Sequence, residues 1–468
     1  MFTNYSHLIL DNLPQLNCGM AVSDLDGDGV FELFVAGFGS PNRVLKWNGQ
    51  GLIDIADATL ADPQGQATGV AAGDLDGDGR EELYVLNTET CSGRKSFADR
   101  LFGYQQGKWI DLFSLPKHQN FTNSRSGHSV VCVDRYGSGR YGFFVARHGG
   151  AMHLLELNAE GQLVNVSSQA GLSRTAGGRG LVALPLVTSG MDIFATNENG
   201  ANFLFRNLGD GTFEEIAVAA GVSDPHESGR GIAFLDADGD GKFDLVCGND
   251  EGRHRLFLQG ATGHFRDVAP KEMARPSQVR TVIAADFDND GVEELFFNNL
   301  GEPNRLFALR DGSWRQIDIG DAWEPDDLGT GAVVGDFDGD GRLELAIAHG
   351  ESDAAPLSLY RPAVNDNKWL RVLPLTRYGA PARGAICISI ADGRRQIRAI
   401  DAGSGYLCQM EPVAHFGLGR CSRVDRLEIV WLDGTKVTID NPSTNQLIKV
   451  PHPRSESGKK DRGRSAGD

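Results

Sequence analysis

The sequence predicts an all-β chain of 468 residues, a seven-bladed β-propeller followed by a small C-terminal β-domain. Three observations predict it. One acidic nine-residue pattern occurs five times, beginning at Asp24, Asp74, Asp236, Asp286 and Asp336. The first two copies lie 50 residues apart, as do the last three from one another, and a period of that size means blades or a solenoid. Short apolar runs flank the copies, for example residues 231–235 before Asp236 and 33–35 after Glu32, with the length and boundaries of strands rather than helices.

Residues 1–6 read as the fourth strand of a unit, while the unit that begins at Asp336 runs out of strands near Tyr360. The N-terminal strand is therefore expected to close the ring, so trimming it should destabilise the fold far more than trimming the C-terminus. Within a unit the order is inner strand, acidic loop, second strand, a third strand such as residues 41–45, 202–205 or 304–307, and a fourth such as 212–216. Between Asp74 and Asp236 there is room for two more units, present in worn form at residues 134–139 and 184–186. Seven four-stranded units describe a propeller, because radial repetition protects sheet edges and buries each blade against its neighbours. A small residue stands five positions before each loop: Gly19, Gly69, Ser129, Gly180, Gly231, Thr281 and Gly331. Such residues suit strands crowded around an axis. From about Asn367 the acidic loops stop, and alternating runs at 369–373, 385–390 and 427–431, with turns at Asp392-Gly393 and Asp433-Gly434, predict a second β-domain. The expected division is a propeller over 1–366, a β-domain over 367–450 and a disordered tail over 451–468, rich in Ser, Gly, Lys and Arg.

The repeated loop carries the chemistry. A hard divalent cation takes six to eight oxygens, and carboxylates at loop positions 1, 3, 5 and 9 converge when glycine at position 6 permits a tight turn. The candidate side-chain ligands are Asp24, Asp26, Asp28 and Glu32; Asp74, Asp76, Asp78 and Glu82; Asp236, Asp238, Asp240 and Asp244; Asp286, Asp288, Asp290 and Glu294; and Asp336, Asp338, Asp340 and Glu344. Position 7 holds Val30, Arg80, Lys242, Val292 and Arg342, a variety that suits a backbone carbonyl ligand. The helical calcium hand ends in an acid at position 12; here the acid falls at position 9 and runs into a strand, a β-hairpin setting. An acidic turn that merely joins two strands is the bland alternative for one copy, and five matching copies argue against it. About five Ca2+ ions are expected.

These loops and their preceding strands resemble the FG-GAP repeats of integrin α-subunit propellers. The later segments GAPARGA at 379–385, AGSGY at 402–406, HFGLG at 415–419 and VWLDG at 430–434 look like an ASPIC/UnbV domain. Together with NENGANFLF at 197–205, the arrangement is similar to the cartilage acidic protein family over roughly residues 2–450. The resemblance implies a calcium-loop propeller in a secreted matrix protein. Animal members carry an EGF module after this point, and the sequence here has neither that module nor a leader. The calcium sites and the resemblance point to an extracellular or periplasmic setting, while the missing signal peptide leaves a cytoplasmic one open.

Composition is that of a soluble protein, with 40% hydrophobic residues and no stretch long enough to span a bilayer. The formal charge of −18 reflects the loops, which hold 20 of the 63 acids; five calcium ions would bring it to −8. Nucleic acid is thereby disfavoured as a partner. Residues 91–180 run the other way, with 11 Lys and Arg against five acids. Arg94, Lys95, Arg100, Lys117, Arg125, Arg135 and Arg140 are therefore candidates for an anion patch reading an acidic glycan or protein; equally, losing the metal loops simply removes acids there. Seven widely spaced cysteines form no zinc or disulfide pattern, and Cys18, Cys132 and Cys247 read as core. The leading function is a non-enzymatic calcium-binding recognition or adhesion scaffold, with the partner on the face opposite the loops. The alternative is an enzyme or natural-product biosynthesis accessory with a site in the channel or on the upper face; no HExxH, GxSxG or nucleotide-binding glycine loop supports it. A calcium sensor is a third reading, against which loops held in rigid blades argue.

Overall fold

The computed structural model describes residues 1–88, 94–118 and 125–455. Blade 1 shows the repeat in full: the antiparallel strands Asn17–Ser23, Glu32–Gly37, Arg43–Trp47 and Leu52–Asp54 run from the axis outward. The innermost strands of blades 2 to 7 are Ala67–Gly73, Gly127–Val133, Thr175–Leu184, Gly229–Leu235, Val279–Ala285 and Gly329–Gly335. Each packs beside the next, and the last packs beside the first, which closes a ring of seven. Hydrophobic side chains from facing blades fill the wedges between them; Met20, Val35, Phe296 and Ile347, for instance, share one buried cluster.

Blade 7 takes its outer strand from the chain start. Phe2–Asn4 pairs antiparallel with Ser358–Pro362, with Phe2 opposite Pro362 and Asn4 opposite Tyr360. The Phe2 ring is buried and meets Phe287 edge-on at 4.8 Å. Three remaining strands would leave an open sheet edge, the liability that closure removes.

Small residues five places before each loop lie where the ring is tightest. A methyl group at Gly19 would run into the Leu407 carbonyl, and one at Gly331 into the Cys18 carbonyl. Blades 3 and 4 depart from the repeat: they merge through Gly142–Ala151 and Thr175–Leu184 into one eight-stranded sheet, a fusion not legible in the repeat spacing.

The C-terminal part forms a three-stranded sheet, in which Lys368–Pro374 pairs with Ala414–Gly419 and Leu447–Val450, and a four-stranded sheet of Arg394–Ala399, Ile386–Ala391, Arg426–Val430 and Lys436–Asp440. Leu370, Val372, Phe416, Leu427, Ile429 and Trp431 form the buried layer between them. Residue 452, within the tail expected from 451, packs on this domain: His452 is 4% exposed, with its ring 5.2 Å from Trp431 and Nε2 3.3 Å from Asp433. Residues 456–468 lie outside the described residues.

This β-domain sits on the acidic-loop face and sends residues 401–411 into the channel. Cys132 N–H donates to the Ala402 carbonyl (3.0 Å), Val70 to Leu407 (3.2 Å) and Ile232 to Gly405 (2.9 Å). Gln409 accepts from Val22 and donates to Met20 through its backbone, while its side chain both donates to and accepts from Ala72 at 2.9 and 2.7 Å. Inner strand edges carry backbone donors that a dry channel would leave unpaired, and the plug supplies acceptors for them.

Candidate metal centre

Each acidic loop joins an inner strand to a second strand on one face of the ring. Its turn is set by backbone. Position-6 glycines Gly29, Gly79, Gly241, Gly291 and Gly341 have φ between +84° and +96°, a region that a side chain disfavours. Their N–H groups donate to the position-1 aspartates, at 2.9 Å for Asp24, 3.0 Å for Asp236, 2.8 Å for Asp286 and 3.0 Å for Asp336. Position 4 is also left-handed, with Gly27, Gly77, Gly239 and Gly339 at φ +77° to +80° and Asn289 at +58°. That requirement was readable in the repeated glycine and was not drawn from it.

At the other end the position-9 acid reaches back. Glu32 accepts from Leu25 N–H (2.7 Å), Glu82 from Leu75 (2.7 Å), Asp244 from Ala237 (2.8 Å), Glu294 from Phe287 (3.1 Å) and Glu344 from Phe337 (2.8 Å). One oxygen of each is thus used to hold the loop; Asp244 gives its second to the Gln259 N–H at 2.7 Å. Ligand-type oxygens fall within 4.8 Å of one another in five sets: Asp24, Asp26, Glu32; Asp74, Asp76, Asp78; Asp236, Asp238, Asp244; Asp286, Asp288, Asp290; and Asp336, Asp338, Glu344.

These oxygens fit a cation. Oδ1 of Asp236, Asp286 and Asp336 and Oε1 of Glu294 and Glu344 are buried without a hydrogen-bond donor, which is costly unless something positive faces them. In three loops a third-strand cation leans in. Lys46 Nζ lies 3.2 Å from Glu32 and contacts Asp26 and Asp28; Arg310 lies 3.6 Å from Glu294; Arg361 lies 3.5 Å from Glu344. Burial, with the neighbouring carboxylates adding, pushes Asp74 up to about 7, Asp286 to about 8 and Glu294 to about 10. Burial likewise raises Glu32 and Asp244 to about 7 and Asp336 to about 6. Carboxyl groups held this way resist ionising alone and favour a divalent partner.

At position 7 the side chains of Lys242 and Arg342 fold onto Asp240 and Asp340, and Arg80 lies 4.0 Å over the Tyr104 ring. Position 5 joins the converging set in the Asp74 and Asp286 loops, through Asp78 and Asp290, where the position-9 acids Glu82 and Glu294 stay outside it; in the other three loops position 9 joins and Asp28, Asp240 and Asp340 do not. The worn loops satisfy themselves with protein donors. Asp134 accepts from Ser138 and Gly139 N–H at 2.9 and 2.6 Å, and Asp192, at the position-9 place of blade 4, accepts from Leu186, Val187, Thr188 and Asn207 N–H.

The β-domain locks onto the loops through arginines that no spacing announced. Arg371 donates to Asp336 at 2.7 Å and pairs with Glu411. Arg383, fully buried, holds Glu81 through two nitrogens at 2.5 and 3.0 Å, and Arg398 lies 3.2 Å from Glu293. The Asp286 carboxylate also accepts from Gly417 N–H at 3.1 Å.

The seven basic candidates do not form one patch. Lys95 is buried against Asp99, and Arg100 is held by Asp62 at 2.8 Å and Asp111 at 3.4 Å. Arg135 and Arg140 belong to the blade 3 loop on the acidic-loop face, where Arg135 pairs with Glu156 at 2.7 Å and Arg140 lies 5.1 Å from the Tyr378 ring. Lys117 is exposed and donates to the Gly161 carbonyl at 3.2 Å. Arg94 and Arg125 are exposed and bridged through their backbones. Net charge along a segment says nothing of which end of a blade each residue occupies, and that is why the set divides.

Comparison with known proteins places this arrangement. Residues 376–457 match the family described as ASPIC and UnbV, and residues 24–85, 190–247 and 236–297 match the FG-GAP-like repeat. Among solved structures, the BP39L lectin from Burkholderia pseudomallei aligns over 74% of this chain and 99% of its own, at a TM-score of 0.46 and 15% identity, a likeness too weak to carry argument. Cartilage acidic protein 1 of Xenopus tropicalis is 45% identical over 97% of this chain and 77% of its own length. The Homo sapiens protein is 44% identical over 97% and 76%. With that identity over nearly all of its length, the chain belongs to the cartilage acidic protein 1 family.

Proposed function

We propose that this chain is a calcium-stabilised extracellular recognition scaffold. Asp, Glu and backbone oxygens of the five loops would each hold one Ca2+, and a partner would bind the propeller face opposite them. The observation that carries the reading is the set of buried, donor-free carboxylate oxygens that converge in loop after loop. The calcium role is structural, since each ion would neutralise carboxylates that otherwise repel one another inside a rigid hairpin. Loop chemistry of this kind fills in millimolar extracellular calcium, and no helix among the described residues is long and apolar enough to cross a membrane. The acidic-loop face is covered by the β-domain, which leaves the opposite face for a partner.

Two features weigh against the enzyme alternative. The channel that would hold its site contains residues 401–411. Beside it, a cavity of about 90 Å³ lined by Asp286, Glu293, Arg398 and Glu411 is smaller than the roughly 300–1,000 Å³ usual for a small-molecule site, and Glu293 and Glu411 are already paired with Arg398 and Arg371.

The test is thermal unfolding of the purified chain during a titration of free calcium from chelated to millimolar, with bound metal counted by elemental analysis. Near five ions and a large rise in melting temperature that saturates toward millimolar calcium are expected. No bound calcium and no change in melting would overturn the reading.

A further inference from the structure

The segment HFGLG at 415–419 lies on the strand Ala414–Gly419 of the β-domain, and its side chains alternate as a strand requires. Phe416 and Leu418 enter the core of that domain. The other three residues meet the loop that begins at Asp286. His415 Nε2 lies 2.5 Å from Asn289 Oδ1, Gly417 N–H donates to Asp286 Oδ2 at 3.1 Å, and Gly419 N–H donates to the Asn289 carbonyl at 2.8 Å. Asn289 Nδ2 in turn donates at 3.0 Å to the carbonyl of Gly341, position 6 of the Asp336 loop. Position 4 is glycine in the other four loops. Here an asparagine, which tolerates the left-handed region better than most side chains, ties the β-domain to two neighbouring loops at once.

The loops also differ in what holds their first ligand. Gly27 and Gly29 N–H donate to the two oxygens of Asp24 at 2.7 and 2.9 Å, and Gly77 and Gly79 to those of Asp74 at 2.7 and 3.2 Å, so these loops orient position 1 by themselves. At Asp286 and Asp336 the loop gives one donor, Gly291 or Gly341, and the β-domain gives a second to the same oxygen: Gly417 N–H to Asp286, and Arg371 Nη1 to Asp336 at 2.7 Å. Oδ1 of both aspartates is buried without a donor among the described residues. One oxygen is thus pinned twice and the other is left for a cation. Arg371 adds no net charge there, because Glu411 of the β-domain pairs with it. The fit at 417 admits only glycine, since a methyl group would stand 2.1 Å from Asp286 Oδ2.

We propose that Gly417 and Arg371 are positioning residues of the calcium sites at Asp286 and Asp336, so that filling those two sites and seating the β-domain on the ring favour one another. This rests on the reading of the loops as calcium sites and assigns two of the five to the joint with the β-domain. A ligand that an outer partner already holds loses less freedom when the ion binds, and removing such a partner typically costs about 10- to 100-fold in metal affinity. Coupling of this kind is reciprocal. Whatever the seated β-domain adds to calcium affinity, calcium returns to the seating, and with it to residues 401–411 in the channel, which run between the strands Arg394–Ala399 and Ala414–Gly419.

The experiment titrates calcium into the full chain by isothermal calorimetry and follows amide hydrogen exchange over residues 401–419 with calcium and with chelator. Gly417→Ala keeps every ligand and should weaken one site about ten-fold or more while the others keep their affinity. Arg371→Gln with Glu411→Gln strands neither charge and should weaken a second site in the same way. In the parent, calcium should slow exchange across 401–419. Asp286→Asn should abolish most of that slowing. Asp74→Asn, which also costs one ion but lies in a loop that orients its own first ligand, should leave it as in the parent. Parent affinities in both positioning variants would overturn this inference and leave the scaffold reading standing. Equal loss of protection in Asp286→Asn and Asp74→Asn would overturn it too, whether or not Gly417→Ala folds, because general stability would then account for the seating. A parent that binds no calcium overturns the scaffold reading, and this inference with it.

Discussion

Asp286→Asn separates a metal ligand from a turn residue by the sign of its effect. Asp286 is 2% exposed; its Oδ2 accepts from Gly291 and Gly417 N–H, and its Oδ1 has no donor. Asparagine keeps an acceptor for those two N–H groups and removes the charge. An ion at about 100 times its dissociation constant stabilises the fold by about 2.7 kcal/mol, so in millimolar calcium the variant should lose about 2–3 kcal/mol. With an unfolding entropy of about 2.1 cal/mol/K per residue, a chain of 468 residues melting as one unit should melt about 2–3 °C lower. In chelator the direction changes, because burial and the charges of Asp288, Asp290 and Glu293 oppose ionisation of Asp286; there the variant should melt at or above the parent. Differential scanning calorimetry in both buffers reads the difference. An equal drop with and without calcium would refute the reasoning and leave the loop a hydrogen-bonded turn.

Three further outcomes follow from the same geometry. In chelator the parent should be more stable at pH 5.5 than at pH 7.5. Glu32, Asp74 and Asp244 titrate near 7 and Asp286 near 8 in the fold, above about 4 when unfolded, so the folded state holds extra protons across that window and loses stability as pH rises; melting that is flat over the range would contradict this. Arg383→Met, which strands the buried Glu81, should cost about 3–5 kcal/mol in denaturant titration, and adding Glu81→Gln should recover part of it; no recovery would show that Glu81 is not the partner that matters. Deleting residues 1–4 should lower the melting temperature and raise susceptibility to proteolysis, since it removes the outer strand of blade 7 and the buried Phe2; unchanged melting would show that the ring does not need that strand.

Period and loop chemistry were legible because they are local. An acid at positions 1, 3, 5 and 9 is read within nine residues, and the 50-residue interval needs only counting. Ring closure by Phe2–Asn4 was legible too, as a strand missing at one end and spare at the other. The basic set failed for the opposite reason: Arg135 and Arg94 lie close in sequence and at opposite ends of their blades. Lys46, Arg310 and Arg361, which lean on the loop carboxylates, and Arg383, which holds Glu81 across 302 positions, carry no spacing signal at all.

The amino-acid pattern by itself determined the repeat, the seven units, the convergence of acids in five of them and the change to a second β-domain at about Asn367, since each follows from local turn geometry and strand periodicity. Tertiary structure alone decided that the β-domain caps the acidic-loop face, that residues 401–411 fill the channel and that blades 3 and 4 fuse. Those results depend on which surfaces meet, and burial energy is settled between segments hundreds of residues apart, where neither period nor propensity reaches.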